Sequence, residues 1–310
     1  MHTAMVFRNL RRAARIAAAA ALALGLVLPT AARAADPPPL GKAAIAYAAP
    51  SWTSGRLFTE LGRILLEKIG YKVEVKLLDT GVIYQSLATG KMDLFSIAWL
   101  PGQQSYFNKF GDSLEILSMS YGPVPGGLMV PAYLDANSIE DLKKPDVRKA
   151  LGGKIVGIDA GSGLMLQTQK VLKEYGLDYE LVTSSGAAME ASFKGAYQKQ
   201  APIVVTGWCP HYMCAAYKVK FLDDPKGVYG DARDYHVVRK GFRTDFPRAT
   251  LLLSRLNLLE EQMSKMLVWV ETDKITPEQA AQRFLDANPV LVWYMIGDLG
   301  ATMQKPAALQ

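Results

Sequence analysis

Short apolar runs of strand length alternate along this chain with segments whose hydrophobic residues recur at helical spacing, and no other feature constrains the fold as strongly. Residues 43–48 read as a strand, and 56–69 as a helix with Leu57, Leu61, Ile64 and Leu65 on one face, stopped by Gly70. Val73, Val75 and Leu77 alternate as a strand, 82–88 reads as a short helix ending at Gly90, and 93–98 as a strand. The series resumes with strands at 154–158, 180–183 and 203–206, separated by helices at 165–175 and 187–197. Strand, helix, strand in repetition implies parallel sheets covered by helices. Two extended stretches, near 127–133 and 233–238, interrupt the pattern, and an all-helical tail follows the second. The expected architecture is α/β with two lobes, each a mostly parallel sheet covered by helices, joined by two crossover segments. Residues 35–129 and 236–310 fall in the first lobe and 130–235 in the second, with the tail packed back on the first.

The first 34 residues stand apart. Arg8, Arg11, Arg12 and Arg15 precede an apolar run from Ile16 to Leu28, followed by Ala32-Arg33-Ala34. Charged, apolar and small residues in that order resemble a secretory signal peptide cleaved after Ala34, which implies export, most simply to a bacterial periplasm. The run is too short to cross ~30 Å of hydrocarbon as a helix. Removing this segment also removes the charge asymmetry. The whole chain has 35 basic and 29 acidic residues, but five of the arginines lie in 1–34, so the remainder is nearly neutral. Nothing in that balance favours nucleic acid.

Three of the five tryptophans occupy equivalent positions. Trp52 follows the first strand, Trp99 ends Leu-Phe-Ser-Ile-Ala, and Trp208 follows Ile-Val-Val-Thr-Gly. Each lies at the carboxyl end of an expected buried strand, where open α/β sheets bind ligands. Each ring could instead cap the core of its own lobe, but three such placements at one topological position argue for a shared cleft. Aromatic faces are negative, and a quaternary ammonium ion has no hydrogen to donate, so a cage of rings suits it. Three desolvated faces at about 2 kcal/mol each fall short of the roughly 8 that micromolar binding needs. The other end of the ligand must supply the rest. Ala160-Gly-Ser-Gly163, ahead of a helix beginning near Leu164, offers backbone N–H groups to an anion. It matches neither a P-loop nor a dinucleotide fingerprint. Trp269 and Trp293 sit inside helical patterns and are expected in the core. Tyr84, Tyr121 and Tyr212 are open candidates for a fourth cage wall.

The segments Trp52-Thr-Ser, Ala98-Trp-Leu-Pro101, Gly127-Leu-Met-Val-Pro131, Gly157-Ile-Asp-Ala-Gly-Ser-Gly163, Thr183-Ser-Ser-Gly-Ala-Ala-Met189 and Val204-Val-Thr-Gly-Trp-Cys-Pro-His211 occur together and in order. In these the chain resembles the glycine betaine-binding, substrate-binding proteins of ABC importers, over about residues 43–295. The resemblance implies a two-lobed periplasmic-binding-protein fold that closes on its ligand, with Trp52, Trp99 and Trp208 around the ammonium and the Gly163 and Leu164 N–H groups at the carboxylate. It further implies a monomeric, non-enzymatic receptor, without cofactor or metal, for a small zwitterionic or cationic solute, and an inner-membrane ABC permease as partner. The sequence departs from the family pattern at Gln104, where a His commonly helps hold the carboxylate, at Tyr212, and at Cys209 and Cys214. Gln104 is expected to contact the ligand as a neutral amide.

Those two cysteines carry the competing reading. A thiol of Cys209 or Cys214 activated by His211 would describe a thiol-dependent periplasmic hydrolase. In an oxidising compartment a local disulfide is equally open, although a regular helix beginning at Pro210 would hold the Cα atoms roughly 8 Å apart.

Overall fold

The computed structural model describes residues 36–301 and 303–309. The expected signal peptide, 1–34, lies outside the described residues. Ten strands form two five-stranded sheets. The first holds β1 (Ala44–Ala49), β2 (Lys72–Leu77), β3 (Leu94–Leu100) and β4 (Leu114–Tyr121); the second holds β5 (Gly126–Pro131), β6 (Lys154–Val156), β7 (Glu180–Val182), β8 (Val205–Trp208) and β9 (Val219–Phe221). The last strand, β10 (Arg233–Arg239), returns to the first sheet. Strand orders are β2-β1-β3-β10-β4 and β7-β6-β8-β5-β9, so both sheets share one topology.

Parallel pairing joins β1 to β2 and β3, and β6 to β7 and β8. These are the ladders whose connections run through helices, as the alternating pattern requires. The crossover strands add the antiparallel ladders: β10 lies between β3 and β4, and β5 between β8 and β9. The chain leaves the first sheet after Tyr121, enters the second at Gly126, and comes back between Phe221 and Arg233. The expected boundaries at 129/130 and 235/236 thus fall inside β5 and β10. Hydrogen-bond pairing assigns each crossover strand whole to the sheet it enters, and periodicity along the chain carries no record of pairing.

The helix Thr53–Lys68 buries Leu57, Leu61, Ile64 and Leu65 and ends as expected, with Gly70 at φ +102°. Against it packs the tail helix Pro277–Ala287, and Arg63 Nη2 donates to Glu278 Oε1 at 2.6 Å across that contact. Trp269 and Trp293 are both only half-buried, and Trp269 packs against the core from its edge. The helix Glu260–Thr272 turns Met263, Met266 and Leu267 inward, which leaves Trp269 at the edge of the buried stripe, under Arg283 at 4.2 Å. Among the described residues no helix is long and apolar enough to cross a membrane.

One polar chain threads the first core. Tyr47 Oη donates to Ser96 Oγ at 2.5 Å, and Ser96 Oγ lies 2.7 Å from His236 Nδ1. His236 Nε2 lies 2.9 Å from the Leu256 carbonyl, so Nε2 carries the proton and Nδ1 accepts. Burial pushes this imidazole down to about 4. An unfolded chain, whose His titrates near ~6.5, therefore holds more protons than the folded one between those values. His236 contributes its full stability above about pH 6.5 and loses it as the pH falls to about 4, an effect on the order of 3 kcal/mol. Denaturant unfolding of the wild type and His236→Asn at pH 7 and 4.5 checks this: the variant's stability should fall less on acidification.

Candidate functional site

The ends of β1, β3 and β8 and the start of the helix Gly163–Tyr175 meet on one cavity between the two sheets. Its volume is about 60 Å³. Trp52, Trp99 and Trp208 all line it, and so do Gly163 and Leu164. Trp52 is the residue ahead of the helix Thr53–Lys68, Trp99 lies next to the end of β3, and Trp208 ends β8. The carboxyl ends of strands thus place the rings, as the sequence pattern implied.

The polar edges of two rings are tied down. Trp99 Nε1 donates to the Val124 carbonyl and Trp208 Nε1 to Ser54 Oγ, each at 3.3 Å. Glycines make room for the Trp99 ring: a Cβ at Gly102 would lie 2.3 Å from Cε3, and one at Gly126 3.0 Å from Cζ2. The loop behind Trp208 is braced twice. His211, edge-on to Trp208 at 4.5 Å, accepts the Met213 N–H at Nδ1 and so donates from Nε2 to Glu190 Oε1 at 3.1 Å.

Cys209 and Cys214 are joined in a disulfide with Cα atoms 6.3 Å apart. The helix there starts at Tyr212, not Pro210, which brings the two within bridging reach. Both thiols are consumed, and His211 is buried as a structural partner, so the arrangement offers no thiol nucleophile. Closing so short a loop restrains the unfolded chain by about 2 kcal/mol. Cys209→Ser/Cys214→Ser is accordingly expected to melt a few degrees lower and to bind ligand more weakly, because the bridge anchors the loop that carries Trp208. Calorimetry on the paired proteins checks both effects.

At the helix Gly163–Tyr175, Ser162 Oγ accepts the Met165 N–H at 3.3 Å, and the Ser162 carbonyl accepts from Leu166. The Gly163 and Leu164 N–H groups, first in the helix, have no acceptor among the described residues.

Gln104 does not join the site. Its side chain is exposed and donates to Asn108 Oδ1 at 3.2 Å. Its neighbour Gln103 is the amide that lines the cavity, buried, with Oε1 accepting from Tyr84 Oη at 2.7 Å. The turn Leu100–Gln103 decides which of two adjacent glutamines faces inward, and the sequence does not record that rotation. Of the candidate tyrosines, Tyr121 lines the cavity, Tyr84 stands behind Gln103 stacked on Tyr106 at 4.4 Å, and Tyr212 is elsewhere. Asp234 also lines the cavity. Sequence reasoning missed it, because the pairing of its strand with β3 leaves no mark in the local sequence.

A family model described as the substrate binding domain of an ABC-type glycine betaine transport system matches residues 43–287. The chain is 44% identical over 150 residues, 47% of its length, to a glycine betaine/carnitine transport binding protein, GbuC, of Listeria monocytogenes; the match spans half of that protein. Lactococcal OpuAC, solved closed with glycine betaine, superposes with a TM-score of 0.76 at 30% identity, over 82% of this chain and 99% of that one. An ABC-transporter choline binding protein in complex with choline gives 0.78 at 26% identity, over 84% and 93%.

Proposed function

Since this chain belongs to the family of substrate-binding domains of ABC-type glycine betaine transport systems, we propose that it is a periplasmic receptor that captures a small quaternary-ammonium solute and delivers it to an inner-membrane ABC permease. Family members are binding proteins of importers, not enzymes, and the bridged thiols leave no basis for a hydrolase. One observation carries the reading: three tryptophans from two different sheets line a single cavity. Trp52, Trp99 and Trp208 hold the ammonium by cation–π attraction. The unpaired N–H groups of Gly163 and Leu164 take an oxygen at the ligand's other end.

Hinge closure follows from how the parts are distributed. Trp52 and Trp99 ride on the first sheet's elements; Trp208 and the Gly163 helix ride on the second's. A ligand touching all of them binds the closed arrangement better than the open one and shifts the population toward it. Trp208 Nε1 to Ser54 Oγ and Tyr106 Oη to the Gly161 carbonyl at 2.8 Å are bonds that closure makes. Titration calorimetry with glycine betaine, choline, carnitine and trimethylamine N-oxide tests the proposal. Binding of at least one below millimolar supports it, and binding of none refutes it.

A further inference from the structure

We propose that Asp234 is the counter-ion of the site, and that the receptor therefore selects a quaternary-ammonium compound with net positive charge, such as a choline-type alcohol, over a zwitterionic betaine. The proposal rests on the quaternary-ammonium reading above and sharpens it.

Register places the carboxyl. Asp234 on β10 stands opposite Trp99 on β3 and opposite Tyr121 on β4. Directly paired residues point to the same face of a sheet, so the carboxyl sits between a cage ring and the Tyr121 phenol. All three line the cavity.

The carboxyl has no partner of its own. Asp234 and Asp93 belong to the same region and are equally buried, each 9% exposed. Asp93 is satisfied: Oδ2 accepts the Ala46 N–H at 2.8 Å and Oδ1 accepts Arg239 Nε at 2.6 Å. Asp234 makes no side-chain hydrogen bond among the described residues. The Tyr121 hydroxyl beside it is buried and unpartnered as well. A buried carboxyl kept without donors is costly, so a purely structural Asp at this position would be expected to have found some. Two adjacent polar groups left open toward a cavity mark a ligand's place.

The surrounding charge sets the sign of that ligand. Among the described residues no Lys, Arg or His lines the cavity. Asp234 acts on Tyr121 on β4 and on Tyr84 on the helix Thr80–Ala88, both pushed up by burial, and Glu260 at the start of the helix Glu260–Thr272 also acts on Tyr121. None supplies positive charge. Burial pushes Asp234 itself up to about 8, so it is largely protonated in the empty site at neutral pH. A cation entering beside it favours the ionised form and expels the proton. A betaine brings a carboxylate of its own into a site that already holds an acid and has no cationic side chain to meet it.

Titration calorimetry with choline chloride and glycine betaine at pH 6 and 8.5, on the wild type and Asp234→Asn, tests this. The wild type should bind choline about tenfold or more tighter than glycine betaine at pH 8.5, and at pH 6, where the empty site's carboxyl is protonated, choline binding should release a proton, seen as heat that varies with the buffer's ionisation enthalpy. Asp234→Asn should lose roughly tenfold or more of its choline affinity and abolish proton release, while its glycine betaine affinity stays level or rises. The empty variant should also melt higher than wild type at pH 8.5, where the unliganded carboxyl is forced to ionise. Glycine betaine bound tighter than choline, with no proton released, overturns the counter-ion and leaves the receptor standing. Binding of neither ligand by the wild type overturns the receptor reading itself. Should Asp234→Asn fail to fold, the wild-type ligand preference and proton release decide alone.

Discussion

Replacing Trp208 by alanine is expected to weaken quaternary-ammonium binding by about 2 kcal/mol or more, roughly thirtyfold. Two losses contribute. One wall of the cage disappears, and so does the Nε1 bond to Ser54, which joins elements of the two sheets. That ring is 7% exposed and faces the cavity, so the variant should also be less stable. Trp269→Ala separates the two effects. Trp269 lies on the helix Glu260–Thr272, outside the cavity, with Arg283 over its ring. Its loss should lower the melting temperature and leave the affinity of the folded protein unchanged. Equal affinity losses in calorimetry would mean that Trp208 is packing alone.

Gly163→Ala should be comparably damaging by a different route. A Cβ at position 163 would lie 2.9 Å from Trp99 Cε3 and from Gln103 Cγ, and 3.0 Å from the backbone carbon of Gly102. Trp99 is already held between glycines and by its bond to Val124, so it cannot move aside cheaply. Overpacking of this kind costs about 1–3 kcal/mol, five- to 150-fold in affinity. If the lobes close as proposed above, the cost falls on the closed arrangement alone, because Gly163 and Trp99 belong to elements of different sheets. In the open protein alanine at this helix start restricts the unfolded chain, worth about 0.4–1 kcal/mol of stability. The expected signature is therefore a large loss of affinity with an unchanged or raised melting temperature in the absence of ligand. A fall in both would place the clash in the core instead of at the closing interface.

The reach of the sequence varied with the range of the interaction. Helix and strand positions follow from local hydrophobic spacing, so the helix Thr53–Lys68 and its stop at Gly70 were legible from residues a few places apart. Trp52, Trp99 and Trp208 were legible too, since each is next to a strand end, and topology sends strand ends of one kind to one side of a sheet. The two crossover strands were recognisable as extended. Which sheet each joins depends on backbone hydrogen bonds to partners more than 20 residues away, as between Asp234 and Trp99.

Residue-level choices inside the site were the hardest to read. Gln103 and Gln104 are chemically identical, and only the turn after Trp99 decides that the first reaches the cavity. The Cys209–Cys214 bridge depended on the helix starting at Tyr212, two residues later than its proline suggested. Asp234 reads in the sequence as one acid among 29, and nothing around it in the chain hints at isolation. Composition, periodicity and strand-end position thus determined the fold class and brought Trp52, Trp99 and Trp208 to one end of the sheets, because those depend on short-range pattern. Tertiary structure alone decided which polar groups stand in the cavity without partners, because a missing partner is a property of everything packed around a residue and of nothing beside it in the chain.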